Sequence, residues 1–341
     1  MIRTLLPLWG GLLTCGGLAI RLFASDVNTF SIVAYDPSNG DCGVTVASKY
    51  FSVGSVVPWA EAGTGCVATQ ANVNAGYGPR GLQLLRQGLT ARQVIDKLLA
   101  EDTFEGKDGR QVAVIDGRGS IAAYTGPNAP NWAGDRQGKT WTAQGNILAG
   151  PQVPEAMGRA FEATQGELAE KLYAALKAGD EAGGDTRGKQ SASMLVVRKG
   201  GGRNINNDRY IYINVDDAPD PFPELRRLLD MNLGMLYQDK AGKLIGAGKP
   251  KDARDAAAKV ARYMPGAQAQ MTLGLLDYSL GDKTAALADF RQALQMDPNV
   301  RRQFFPAAPA AAAGAPAPGG RGQRLRAVLE DQAFLKQLFP E

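Results

Sequence analysis

Thr29 opens the β-rich run TFSIVAY, and the 341-residue chain contains no histidine. Ser-His-Asp and Cys-His catalysis, and the usual His-ligated zinc sites, are thereby excluded. A hydroxyl nucleophile must find another base. The free α-amine of an N-terminal threonine, with an ordinary pKa of about 7.7–8.0, needs no second side chain to act as one. That chemistry requires Thr29 to become the first residue of the mature chain. The plainer reading of Thr29 is strand propensity, since it is β-branched at a strand start.

Other residues stand where they could serve such a nucleophile. Ser48 ends the run CGVTVAS and Lys49 follows it, and the turn Asp36–Gly40 folds that run back beside the first. A cation at Lys49 would lower a neighbouring hydroxyl's pKa, or it is a solvated strand end. In the Gly-rich loop GGDTRGKQS, Asp185 and Arg187 could orient the amine or clamp a substrate carboxylate, and Ser191 leads straight into an apolar strand. A surface turn with an exposed ion pair is the alternative. Gln70 and Asn72, in ATQANVN, are weaker candidates for a binding pocket. No phosphate loop is present, and no metal or other cofactor is called for.

The elements that must position these residues are predicted as short strands at 29–35, 42–48, 55–59, 65–70, 111–115, 120–124, 191–198 and 209–215. Helical periodicity appears at 79–86, 90–101, 154–163 and 168–178. Strands, then helices, then strands again describe a layered α/β (α+β) domain with largely antiparallel sheets over residues 29–221. Beyond Pro221 comes a helix over 224–237. Residues 249–298 then follow tetratricopeptide spacing at Leu273-Gly274, Tyr278, Gly281-Asp282, Ala285, Phe290, Ala293-Leu294 and Asp297-Pro298. So short an array, within 222–305, must lean on the first domain or on a second copy, as in a homodimer. Residues 306–322 are a Pro/Ala/Gly linker and 323–339 a final amphipathic helix, ending the segment 323–341.

The stretch from Thr29 to about Leu236 resembles the domain of unknown function 1028 family, of the N-terminal-nucleophile hydrolase group. The resemblance rests on TFSIVAYDPSNGDCGVTVASKYFSVGSVVPWAEAGTGCVATQA, GYGPRGLQLL, QGNILAG, GGDTRGKQSASMLVV and VDDAPDPFPELRRLL. It implies a four-layer αββα sandwich whose central strand begins with the nucleophile. On that template Thr29 Oγ attacks an amide carbonyl while its own amine takes the proton. Asn146, in Gln144-Gly145-Asn146, is the candidate oxyanion donor; by composition alone it is a turn residue. Ala218 stands in VDDAPDP where the family more often has histidine, and no role follows from the change.

Residues 1–24 carry Arg3 ahead of an apolar stretch, Leu5–Ile20, as a signal peptide does, which predicts a periplasmic or secreted protein. Cleavage after Ala24 would leave Ser25-Asp26-Val27-Asn28 covering the Thr29 amine. Cys15 sits in a loose lipoprotein box. Cys42 and Cys66 would remain, either paired in an oxidising compartment or as small buried residues. The formal net charge of +4 is scattered among acids, which argues against nucleic acid as a partner. The expected function is an exported amidohydrolase acting on a peptide or small amide. The alternative is a non-catalytic binding or scaffold protein that docks a protein partner on its helical repeat.

Overall fold

The computed structural model describes residues 29–305 and 321–340. The signal segment, Cys15, the cleavage region up to Asn28 and residues 306–320 of the predicted linker lie outside them. In chain order the elements are β1 (Thr29–Asp36), β2 (Asp41–Ser48), β3 (Pro58–Glu61), β4 (Gly65–Ala71), α1 (Tyr77–Arg86) and α2 (Ala91–Glu101). They continue with β5 (Arg110–Asp116), β6 (Ile121–Thr125), β7 (Gly134–Gln137), β8 (Trp141–Gly145), α3 (Gln152–Ala163), α4 (Leu168–Glu181), β9 (Ser191–Val197) and β10 (Arg209–Val215). The strands form a six-stranded sheet, β10-β9-β2-β1-β8-β7, and a four-stranded sheet, β3-β4-β5-β6. Every neighbouring pair is antiparallel, as the mixed α/β reading expects.

Strand alternation sends successive side chains to opposite faces and so explains the packing. From β1, Phe30, Ile32 and Ala34 pack with Met157, Phe161, Leu172 and Leu176 of α3 and α4. Val33, on the other face, meets Val44 and Val46 of β2 and, across the gap between sheets, Cys66, Ala68, Ala113 and Ile115. The far face of the smaller sheet buries Val67, Val112 and Val114 under Leu84, Val94, Ile95 and Leu98 of α1 and α2. Both faces of the central strands are therefore covered, and each buried aliphatic side chain contributes about 1.5–3 kcal/mol.

Cys42 and Cys66 form a disulfide with their Cα atoms 6.1 Å apart, and it ties β2 of one sheet to β4 of the other. The bridge closes a loop of sequence separation 24. Chain-entropy arithmetic puts its worth at about 3 kcal/mol. The Cys42→Ala/Cys66→Ala double variant should lose that much in urea unfolding while keeping its far-ultraviolet spectrum; an unchanged midpoint would refute the assignment of stability to the bridge.

The later helices are α5 (Phe222–Gly246), α6 (Pro250–Tyr263), α7 (Ala267–Ser279), α8 (Lys283–Met296), α9 (Val300–Phe304), α10 (Arg321–Glu330) and α11 (Gln332–Leu338). Phe222, Leu225, Leu229 and Leu233 of α5 join the core of the six-stranded sheet, so the helical segment leans on the first domain. The single predicted helix over 323–339 is two helices broken at Asp331, whose side chain caps α11 by accepting from the Phe334 N–H. The α7–α8 hairpin turns at Gly281, with φ +86°, and Asp282 caps α8 through the Ala285 N–H.

Within that hairpin, burial, hydrogen bonding with Asp277 and the charge of Asp277 push Asp289 from its ordinary 3.8 up to about 7, while Arg254 opposes and Asp282 adds to the rise. A carboxyl raised in the folded state stabilises most below pH of about 4 and loses that contribution as pH climbs through about 7. Asp289→Asn should therefore unfold at a higher temperature than the wild type at pH 8 and show a smaller difference at pH 4. Parallel melting curves for the two proteins across that range would contradict the assignment.

Candidate active site

Antiparallel pairing brings the ends of several strands to one edge of the molecule. Thr29 starts β1 opposite Ser48 at the end of β2, and Ser48 lies opposite Ser191 at the start of β9. All three are wholly buried. The Thr29 hydroxyl donates to Ser48 Oγ at 3.1 Å. Ser191 Oγ donates to the Tyr50 carbonyl and accepts from the Val53 N–H, which pins the chain leaving β2 against the sheet. The three predicted hydroxyls thus form one row across three strands.

The loop of residues 183–190 closes over this row. Asp185 is buried and takes both Nε and Nη2 of Arg187, at 3.1 and 2.8 Å. Its carboxylate also accepts from the backbone N–H groups of Arg187 and Lys49, at 3.0 and 3.1 Å. Asp185 therefore latches the loop to the residue that follows Ser48. Lys49 enters the site through its backbone; its exposed ammonium donates to the Lys189 carbonyl at 3.4 Å. Gly183 and Gly184, both at positive φ, let the loop reach Ile147–Ala149, with Ala149 N–H donating to the Gly184 carbonyl.

Asn146 is wholly buried directly after β8. Its backbone N–H donates to the Thr29 carbonyl at 3.0 Å and its Nδ2 to Gln111 Oε1 at 3.0 Å. Gly145 is needed here: a Cβ would lie 2.9 Å from the Thr29 carbonyl oxygen and 2.5 Å from Leu148 Cδ1. Gln70, also wholly buried, accepts from Ser31 Oγ at 2.7 Å and points Nε2 toward the Thr29 carbonyl at 3.5 Å. Asn72 turns away from Thr29, and its Nδ2 donates to the Gly106 carbonyl at 3.2 Å.

Beneath Asn72, Arg110 donates to Asp102 at 2.9 Å and Tyr77 OH donates to the same carboxylate at 2.6 Å. Burial opposes ionisation of Asp102, but hydrogen bonds from Tyr77, Arg110 and the Phe104 N–H outweigh it and hold the carboxyl at about 2. Tyr77 thus ties the start of α1 to Asp102 at the end of α2.

Ser31, Gln111 and Gln144 also belong to this edge, and their local sequence gives no sign of it. Their strands, with polar residues turned inward, present the same alternation as a solvated face.

These features describe a layered α/β protein whose inner strand opens with a buried threonine held among hydroxyls and carboxamides. The chain belongs to the family of unknown function DUF1028, whose model matches residues 29–225. The crystal structure of a Silicibacter pomeroyi protein of that family is similar at 32% identity, with a TM-score of 0.54, over 60% of this chain and 85% of that one. No curated protein matches.

Proposed function

We propose that the sheets and their covering helices form an αββα sandwich of the N-terminal-nucleophile type, and that the protein is an exported amidohydrolase with Thr29 as nucleophile. The observation that carries this reading is the start of β1: a threonine hydroxyl on Ser48 Oγ, with its carbonyl held by the N–H that follows Gly145. Attack by Thr29 Oγ on an amide carbonyl breaks the C–N bond, and the hydroxyl proton passes by way of the α-amine to the departing nitrogen. The acyl ester left on Thr29 is then hydrolysed by water. Asn146 is the oxyanion donor in this scheme, a role worth roughly 2.7–4 kcal/mol of barrier. The substrate is a peptide or other small amide. The disulfide supports an oxidising, periplasmic or extracellular setting.

Thr29 is wholly buried, and it contributes the nitrogen of the Asn28–Thr29 bond whose cleavage frees its amine. The reading therefore includes maturation from within: Thr29 Oγ attacks the Asn28 carbonyl, the peptide C–N bond gives way to an ester as the amine takes the hydroxyl proton, and water releases the leader side. Intact mass and N-terminal sequencing of purified protein test this. A chain starting at Thr29 is expected; one still starting at Ser25 after long incubation would overturn it.

A second reading has its own observation. A cavity of about 330 Å³ lies between α5, α6 and α7, lined by Ala241, Ile245, Val260, Met264, Ala269 and Thr272 among others. On that reading the helices, taken as tetratricopeptide-like, dock a protein partner and Thr29 is a structural strand residue. Thr29→Ala would then leave every phenotype of the wild type intact.

A further inference from the structure

The gap between the sheets is apolar over most of its length and polar at the edge that carries Thr29. Four carboxamides meet there, Gln70, Gln111, Gln144 and Asn146, each no more than 1% exposed. Their hydrogen bonds run in one direction. Gln144 Nε2 donates to Ser31 Oγ at 2.6 Å, Ser31 Oγ to Gln70 Oε1 at 2.7 Å, and Gln70 Nε2 to Gln111 Oε1 at 2.8 Å. Gln111 Oε1 receives a second donor, Asn146 Nδ2, at 3.0 Å. Gln111 Nε2 donates in turn to the Gly145 carbonyl and to Thr125 Oγ1, both at 2.9 Å.

Gln111 is the fixed point of this set. Rotating its carboxamide by half a turn would set nitrogen against the two donors and oxygen against the Gly145 carbonyl, so a single orientation survives. In that orientation it grips the Gly145–Asn146 peptide twice, by the carbonyl of one residue and the side chain of the next. The N–H of that same peptide holds the Thr29 carbonyl. Buried amides left unpaired cost about 1–3 kcal/mol each, whereas an apolar filling of the same shape can be nearly neutral. Stability alone does not ask for amides here.

We propose that Gln111 is the positioning residue of the Thr29 site: its grip on the Gly145–Asn146 peptide sets the Asn146 carboxamide and the Thr29 carbonyl relative to the attacking hydroxyl. The proposal rests on the reading of Thr29 as nucleophile. Gln111 acts through Asn146 and touches no reacting atom itself.

The probe is the chain's own Asn28–Thr29 bond, followed by intact mass as a first-order appearance of protein beginning at Thr29. The wild type should mature and Thr29→Ala should not. Gln111→Leu should slow maturation at least about tenfold, and by no more than the roughly 10²–10³-fold ascribed to a whole oxyanion donor. Thr142→Val removes a more distant link, the bond from Thr142 Oγ1 to Gln144 Oε1, and should stay within about twofold of wild type. Gln111→Glu guards against misfolding of the leucine variant. Protonated, it still accepts from Gln70 and Asn146 and donates to Gly145, so it should approach the wild-type rate at low pH and fall behind as it ionises. The inference is overturned if Gln111→Leu matures like the wild type, if Thr142→Val slows it equally, or if Gln111→Glu keeps a constant ratio to wild type across pH. If the wild type never begins at Thr29, the nucleophile reading fails first and takes this inference with it.

Discussion

Thr29→Ala is expected to remain as uncut precursor and to show no turnover, a loss of at least about three orders of magnitude for removal of a nucleophile. The fold should survive, because the hydroxyl's bond to Ser48 is worth only about 0.5–1.5 kcal/mol. Thr29→Ser keeps a hydroxyl and an amine and should retain measurable maturation. In the mature wild type, hydrolysis of a panel of peptide amides should rise with pH as the Thr29 amine loses its proton, with a midpoint near about 7.7–8.0. Arg187 is neutralised by Asp185 and the Lys49 ammonium is turned to the Lys189 carbonyl, so neither should pull that midpoint far down. Asn146→Ala should cost roughly 10²–10³ in rate. Turnover in Thr29→Ala equal to wild type would remove the mechanism.

The largest loss of stability is expected far from the site, at Arg198. Asp41 is wholly buried and takes Nε and Nη2 of Arg198 at 2.7 and 2.6 Å, while Nη2 also reaches Glu167 at 3.1 Å. The guanidinium stacks 3.7 Å from the Tyr210 ring centroid. Glu167 in turn accepts from Tyr237 of α5 and lies 3.8 Å from Lys259 of α6. Burial resists its ionisation, but Tyr237 and Arg198 hold its pKa below the usual carboxylate range. Arg198→Ala leaves the buried Asp41 carboxylate without its cation and takes one partner from Glu167, and should cost about 3–5 kcal/mol, a large share of a total near 5–15 kcal/mol. Arg198→Lys keeps the charge but loses the fork and the stack, and should fall between. Urea unfolding measures both. Equal midpoints for Arg198→Ala and wild type would show that water replaces the arginine without penalty.

Much of this architecture can be read from local pattern. Thr29, Ser48 and Ser191 stand at strand boundaries marked by apolar runs, and pairing of those strands alone sets them in a row. The part that could not be read is β7 and β8. In WTAQG, Trp141 and Ala143 face α3, while Thr142 and Gln144 face the interior, so the polar residues that usually mark a solvated face are the buried ones. Gln144 and Gly145 end that strand and do not form the turn expected around Asn146. Ser31 and Gln111 are hidden for the same reason. Their partners lie 39 and 41 residues away at Gln70, beyond any periodicity within one element. Asp331 splits the last helix through a cap that competes locally with continuation of the apolar stripe.

The family match ends at residue 225, barely a turn into α5, yet α5 runs unbroken to Gly246. Its 25 residues span about 37 Å as one rod. The first part of that rod is a beam under β9 and β10, and the rest is the backing for α6. The boundary drawn by sequence kinship is therefore not a seam in the material. A chain trimmed at 225 would bare the outer face of the sheet at β10 and the adjoining part of β9. A load applied to the helical segment would reach β9 and β10 as bending stress along a single strut, with no joint between to absorb it.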